Sequence, residues 1–130
     1  MKLNVMFIIA AVFLILIGLP SLLAPSAMMA AGGSDIGASS ALSMLVRFMG
    51  VAELGLGLIA WLVRNADASK ARDAVTLGFT IYFALHALTS LYGQFTDTST
   101  SAHWIMATLQ GLIAVGFFMA GKASMSTSAS

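Results

Sequence analysis

The sequence predicts an all-α integral membrane protein, a four-helix bundle with up-down-up-down topology. Of its 130 residues, 59% are hydrophobic and only 8% are charged, and the mean hydropathy is +0.96. A water-soluble domain carries about 25% charged residues, so this composition is typical of a membrane protein. A spanning helix takes about 20 residues, and the chain has room for four of them with short connections.

The first predicted helix covers about residues 3–23 and contains an unbroken apolar run from Val5 to Leu19. Pro20 is expected to bend or end this helix. A basic start and small residues after the apolar run also resemble a signal peptide, whose removal would leave three spanning helices. We favour a retained helix, because its apolar stretch exceeds the core of about 7–15 residues found in signal peptides. Residues 24–40 are rich in glycine and serine and are expected to form a loop.

Three further predicted helices cover about residues 41–64, 74–92 and 102–120. The connection before the third helix is charged, and Asp67 or Ser69 is expected to cap that helix. Residues 121–130 are polar and small, so we expect them to form a disordered tail.

The distribution of basic residues predicts the orientation of the bundle. Five of the six lysines and arginines fall on one side of a four-helix serpentine: Lys2, Arg64, Lys70, Arg72 and Lys122. The loops on the other side contain only Asp35 and Asp97 as charged residues. Since basic residues accumulate on the cytoplasmic side, both termini are expected to be cytoplasmic.

Two opposite charges, Arg47 and Glu53, lie inside the second apolar run. An ionised side chain at mid-membrane costs roughly 2.5–3.5 kcal/mol, so such residues normally face a bundle interior. The helical rise places Arg47 and His86 about 9 Å, and Gln110 about 12 Å, from the outer ends of their helices. We therefore predict a polar ligand-binding layer in which Arg47 lies near His86 and Gln110. Glu53, about 18 Å deep, is expected to lie near Tyr82 at about 15 Å.

These polar residues also have a purely structural interpretation. Arg47 and Glu53 could satisfy each other and nearby carbonyl groups and thereby fix the register of the helices. The two histidines do not favour a haem, because His103 starts the fourth helix near the surface whereas His86 lies inside the bundle. The absence of cysteine excludes thiolate chemistry, and no metal-binding or catalytic motif occurs. A net charge of +1 gives no reason to expect nucleic acid as a partner.

Small residues inside the predicted helices are expected to allow close helix contacts. They are Gly50, Gly55 and Gly57 in the second helix, Ala74 and Gly78 in the third, and Ala107 and Gly111 in the fourth. Packing of this kind stabilises helix pairs in lipid, where apolar side chains gain little from contact with each other.

Short motifs are distributed from the end of the first helix to the start of the fourth. They are Leu23-Ala24-Pro25, Arg47-Phe48-Met49-Gly50, Leu54-Gly55-Leu56-Gly57-Leu58, Trp61-Leu62-Val63-Arg64, Leu77-Gly78, His86-Ala87-Leu88 and Trp104. In these motifs the chain resembles the small four-helix bacterial membrane proteins of the DoxX-like group and related uncharacterised families, over about residues 3–120. The resemblance implies a multi-pass protein of the bacterial inner (plasma) membrane. It also implies Arg47 and Gly50 as a family-like pair, with weaker correspondence at Glu53 and His86.

The expected function is that of an accessory or binding protein for a partner subunit or a small apolar ligand, without catalysis or a cofactor of its own. Some DoxX-type proteins serve as membrane subunits of quinone-linked redox complexes. A first alternative is therefore a membrane subunit of a quinone-linked oxidoreductase, with Arg47 and His86 bonded to the quinone carbonyls. A second alternative is a small transporter or proton-conducting unit centred on Glu53. The surrounding bilayer and a membrane protein are the expected partners, and the oligomeric state is left open.

Overall fold

The structure, a computed structural model, describes residues 2–32, 40–96 and 101–128. Within these ranges the helices are α1 (Leu3–Leu23), α2 (Pro25–Ala31), α3 (Ser40–Val63), α4 (Lys70–Thr96) and α5 (Ala102–Ser128). All of them except α2 are long and apolar enough to cross a bilayer. Their outer faces expose large apolar side chains such as Leu16 and Leu62, which suits contact with lipid. The predicted all-α class with four membrane-capable helices is confirmed.

Several helix ends differ from the sequence prediction. α1 has its predicted end at Leu23 and passes through Pro20, whereas α4 continues to Thr96, beyond the predicted end at residue 92. α4 begins earlier than predicted, at Lys70, because Ser69 Oγ accepts a hydrogen bond from the N–H of Arg72 (3.2 Å). α5 continues to Ser128, so most of the predicted disordered tail is helical, while residues 129–130 lie outside the described ranges. Extending an existing helix is far easier than nucleating one, which explains why polar residues prolong α5.

The predicted loop after the first helix contains a short helix, α2. Pro25 stands at its first position, where the missing N–H costs no hydrogen bond and the fixed φ angle suits a helix. The alanines and methionines that follow favour the helical state. α2 ends at Ala31, and residues 33–39 of the predicted loop lie outside the described part of the chain.

The membrane-capable helices pack as two pairs. α1 packs on α3, α4 packs on α5, and contacts between α1 and α5 join the two pairs. In the first pair, residues later in α1 contact residues earlier in α3. Ala11 lies near Gly57, Gly18 near Gly50, and Leu22 near Arg47. The second pair shows the same order: Ala87 with Gly111, Ser90 with Gln110, Gly93 with His103.

The contact between α1 and α3 depends on three glycines, Gly18, Gly50 and Gly57, which we call the glycine seam. A Cβ atom on Gly50 would lie 2.7 Å from the carbonyl oxygen of Gly18, and one on Gly57 would lie 3.4 Å from that of Ala11. By contrast, a Cβ atom on Gly55 or Gly78 would meet nothing within 4 Å. The expected close contacts are therefore confirmed at Gly50 and Gly57 and wrong at Gly55 and Gly78.

Four phenylalanines form an aromatic core where α1, α4 and α5 meet: Phe7, Phe79, Phe83 and Phe117. The ring centroid of Phe117 lies 5.2 Å from that of Phe7, 5.5 Å from that of Phe79 and 6.1 Å from that of Phe83. Such distances are in the range of favourable aromatic pairs. The aromatic core therefore joins the two helix pairs.

Candidate functional site: the cleft between α3 and α4

A cleft separates α3 from α4, because each of these helices packs chiefly on a different partner. Its larger part is a cavity of about 350 Å³ with an almost wholly apolar lining: Leu56, Ile59, Val75, Gly78, Phe79 and Tyr82. A smaller part of about 110 Å³ is lined by Met49, Ala52, Glu53, Leu56, Tyr82 and His86. Leu56 and Tyr82 line both parts, so the two form one α3–α4 cleft with an apolar end and a polar end.

Tyr82 and His86 come from α4. Residues four apart lie on the same helix face, one turn above the other, and their rings pack with centroids 4.4 Å apart and planes inclined by 42°. The next residue, Phe83, belongs to the aromatic core and meets Tyr82 edge-on, with centroids 5.2 Å apart. Tyr82 thus stands on the border between the core and the cleft, and a packed ring on each side fixes its position.

Glu53 comes from α3 and is half-buried. Its Cβ atom lies 3.1 Å from where a Cβ on Gly18 would stand, so the base of the side chain rests against α1. Its Oε2 atom is buried and has no hydrogen-bond partner among the described residues. A buried carboxyl oxygen without a partner is costly, and in native proteins such atoms often mark a functional site.

Arg47 lies on the same helix but has a different role. Its Nη1 atom donates a hydrogen bond to the carbonyl oxygen of Leu22 (2.9 Å). Leu22 is in the last turn of α1, where carbonyl groups lack partners within the helix and a cation is favoured by the helix dipole. In the part of the chain that the structure describes, no ion pair joins Arg47 to Glu53, so the two charges do not neutralise each other.

Gln110 and His103 contribute to the other helix pair. Gln110 is buried, and its Oε1 atom accepts a hydrogen bond from Ser90 Oγ (3.4 Å) across α4 and α5. The ring of His103 packs against Gly93, where an added Cβ would approach it to 3.2 Å. Of the five residues predicted to form a ligand-binding layer, the cleft therefore brings together Glu53, Tyr82 and His86. Arg47 and Gln110 have their partners elsewhere.

The apolar lining of the cleft was not singled out by sequence reasoning, although the sequence contains a signal for it. Glu53, Leu56 and Ile59 recur at intervals of three along α3. On α4, Val75 and Gly78 precede Tyr82 and His86 at intervals of three or four. Two apolar stripes that each continue into polar residues indicate one amphipathic groove, provided that the two helices are known to face each other.

The described residues contain no group of three histidine, aspartate or glutamate side chains that could hold a metal ion. Comparison with models of known protein families finds no match, and searches of curated proteins and of solved structures find none either. The resemblance to the DoxX-like group stays a prediction. The length and composition of the helices indicate a multi-pass membrane protein. The α3–α4 cleft is the feature of the structure from which a function can be proposed.

Proposed function

We propose that this protein is a small integral membrane binding protein that holds a small apolar molecule with a hydrogen-bonding head group in the α3–α4 cleft. The observation that carries the proposal is the continuity of the apolar cavity of about 350 Å³ with the polar end at Glu53, Tyr82 and His86. Ligand sites typically measure about 300–1,000 Å³ and combine an apolar lining with a few polar groups that orient the ligand.

The polar end selects the chemistry of the head group. The Glu53 carboxyl group accepts hydrogen bonds, the Tyr82 hydroxyl donates and accepts them, and the His86 imidazole can do both. An anionic head group is disfavoured, because a charge without a counter-ion is costly to bury in an apolar site. The cleft thus suits an uncharged amphiphile whose hydroxyl, carbonyl or N–H groups meet these three side chains while its tail contacts Leu56 and Val75.

The proposal includes an up-down-up-down bundle with both termini cytoplasmic in a bacterial inner membrane. The order of contacts within each helix pair supports opposite directions for α1 and α3 and for α4 and α5. The positions of the lysines and arginines support the cytoplasmic assignment of the termini.

A quinone is one member of this ligand class, so the alternative of a quinone-linked oxidoreductase subunit draws on the same cleft. Tyr82 and His86 would donate hydrogen bonds to the quinone carbonyl oxygens, because Arg47 does not line the cleft and bonds to Leu22 instead. The alternative of a proton-conducting unit is supported by the unpartnered Glu53 oxygen. A pH-driven flux into vesicles that disappears in Glu53→Gln would favour that second alternative.

Filling the apolar end is expected to weaken binding without removing any polar group. A Cβ atom on Gly78 meets nothing within 4 Å, so in Gly78→Leu the new side chain occupies the cavity without displacing its neighbours. We expect the affinity for decylubiquinone, a quinone with a short tail, to fall at least tenfold, or by about 1.4 kcal/mol. The measurement is ligand titration of the detergent-solubilised protein by native mass spectrometry.

Gly55→Leu is the matched control for this experiment. It adds the same side chain to a membrane helix at a position that is also open and does not line the cleft. Glu53→Gln retains the size of the side chain and tests the head-group contact. Equal affinity for decylubiquinone in the wild type, Gly78→Leu and Glu53→Gln would contradict a site in the cleft. A copurifying protein bound in the cleft in place of the quinone would assign the cleft to a helix of a partner protein.

Arg47→Met is expected to leave decylubiquinone binding unchanged, because the guanidinium contacts Leu22 at the end of α1 and does not line the cleft. Hydrogen bonds between membrane helices contribute about 0.6 kcal/mol on average, so we expect only a small loss of stability. On the same sample, denaturant titration measures the change in stability and ligand titration measures the change in affinity. A loss of affinity as large as that of Gly78→Leu would place Arg47 at the binding site.

A further inference from the structure

A second cavity lies at the opposite end of the molecule from Arg47, where α1 and α4 begin and α5 approaches its end. It measures about 350 Å³, and its lining includes Lys2, Asn4, Arg72, Ala120 and Ala123. We infer that this basic pocket binds a phosphate group, carried either by an anionic lipid or by a soluble phosphate. The inference does not depend on the α3–α4 cleft, with which the pocket shares no lining residue.

Two basic residues from different parts of the chain line the basic pocket. Lys2 precedes α1 and Arg72 lies in the first turn of α4. The backbone of Arg72 is anchored at the start of α4, because its N–H bonds to Ser69 Oγ (3.2 Å) and its carbonyl oxygen accepts a hydrogen bond from the buried Thr76 (2.8 Å). A guanidinium and an ammonium that line one pocket suit a phosphate, which arginine binds through two parallel hydrogen bonds.

The guanidinium of Arg72 also contains a donor that needs an acceptor. Its Nε atom is buried and has no hydrogen-bond partner among the described residues. A buried donor of a charged group that lacks an acceptor is costly, whereas a phosphate oxygen in the pocket would satisfy it. The neighbouring acid Asp73 does not line the pocket.

The start of α1 adds a third favourable contribution. Lys2, at the N-cap position, makes no side-chain capping hydrogen bond, and Leu3 and Asn4 of the first turn line the pocket. In this turn Asn4 Oδ1 accepts a hydrogen bond from the N–H of Val5 (3.0 Å). The first N–H groups of a helix have no acceptor within it, and its N-terminus carries a partial positive charge. Together with Lys2 and Arg72, this end of α1 makes the pocket complementary to an anion.

The position of the basic pocket fits a lipid head group. It lies at the end of the bundle where Arg64, Lys70 and Lys122 add further positive charge. Basic pockets between membrane helices on the cytoplasmic side bind the head groups of anionic lipids. A soluble phosphate compound offers the same chemistry, so the two sources must be separated by experiment.

The test titrates the detergent-solubilised full chain with dioleoyl phosphatidylglycerol, with dioleoyl phosphatidylcholine and with inorganic phosphate, followed by native mass spectrometry. We expect the wild type to prefer phosphatidylglycerol to phosphatidylcholine, and Lys2→Gln with Arg72→Gln to weaken phosphatidylglycerol binding at least tenfold. The matched control is Lys70→Gln with Lys122→Gln, which removes the same charge from the same end of the molecule without touching the pocket lining. This control is expected to bind within twofold of the wild type.

Each outcome bears on the inference. If millimolar inorganic phosphate displaces phosphatidylglycerol, and this displacement depends on Lys2 and Arg72, the basic pocket is assigned to a soluble phosphate. If no displacement occurs, the pocket is assigned to the lipid. Equal losses in the two double variants, or no preference for phosphatidylglycerol together with no binding of inorganic phosphate, would overturn the inference. If the Lys2 and Arg72 variant fails to fold, Ala123→Leu replaces it, because a larger side chain there fills the pocket without changing its charge. Unchanged binding in that variant would refute the site.

Discussion

Replacing Gly50 by leucine is expected to separate α1 from α3 and to lower the free energy of unfolding by more than about 3 kcal/mol. A Cβ atom at this position would lie 2.7 Å from both the Gly18 carbonyl oxygen and the Leu22 backbone nitrogen. Overpacking usually costs about 1–3 kcal/mol when side chains can move aside. Here the obstructing atoms are backbone atoms, which cannot rotate away, so the whole helix must shift. Unfolding in mixed detergent micelles, followed by circular dichroism, measures the effect.

Gly55→Leu provides the comparison on the same helix. Its Cβ atom meets nothing within 4 Å, and removal of a glycine from a helix interior favours the helix by up to about 1 kcal/mol. We therefore expect its stability to equal or exceed that of the wild type. If the two leucine variants were equally stable, α1 and α3 could not be in contact through the glycine seam.

Phe117→Ala is expected to have the second largest effect, a loss of about 2–3 kcal/mol. The side chain is fully buried and its ring contacts rings from both α1 and α4. In a bilayer the unfolded helices already surround this ring with lipid, so little transfer energy is lost on truncation. The empty space left behind still costs about 24 cal/mol per Å³, and a cavity on the order of 100 Å³ gives the expected value.

Phe118→Ala removes the same ring from the next position, which is 56% exposed. It leaves no enclosed cavity, so we expect its free energy of unfolding to change by less than about 0.5 kcal/mol. The same micelle unfolding assay compares the two variants. Similar losses for both would contradict a core centred on Phe117.

The helical class and the four long apolar segments could be predicted from the sequence, because composition and segment length are direct consequences of the bilayer. The role of Pro25 could not be predicted with the same rules. A proline ends one helix and also favours the first position of another, and only the geometry after Leu23 decides between them. Similarly, Gly50 and Gly55 look alike in the sequence, but only Gly50 faces another helix at close range.

The candidate site was predicted in part for a related reason. Spacing along one helix correctly indicates which side chains share a face, as with Tyr82 and His86. Depth along the bilayer does not indicate which helix a polar group will meet. Arg47 matched His86 in expected depth, yet its hydrogen bond is made to Leu22, because α1 is the helix that packs on α3. Pairing between helices is a tertiary property and requires the structure.

The two faces of α1 acquire their neighbours at different times during synthesis. The face with Gly18 meets Gly50 as soon as α3 has entered the bilayer, whereas the face with Phe7 meets Phe79 on α4 and Phe117 on α5. Since chains are made from the N-terminus at roughly 5–20 residues per second, the ring of Phe7 has both of these aromatic neighbours only after α5 has been made. The contact between α1 and α3 is thus complete before α5 is made, and closure of the aromatic core waits for α5.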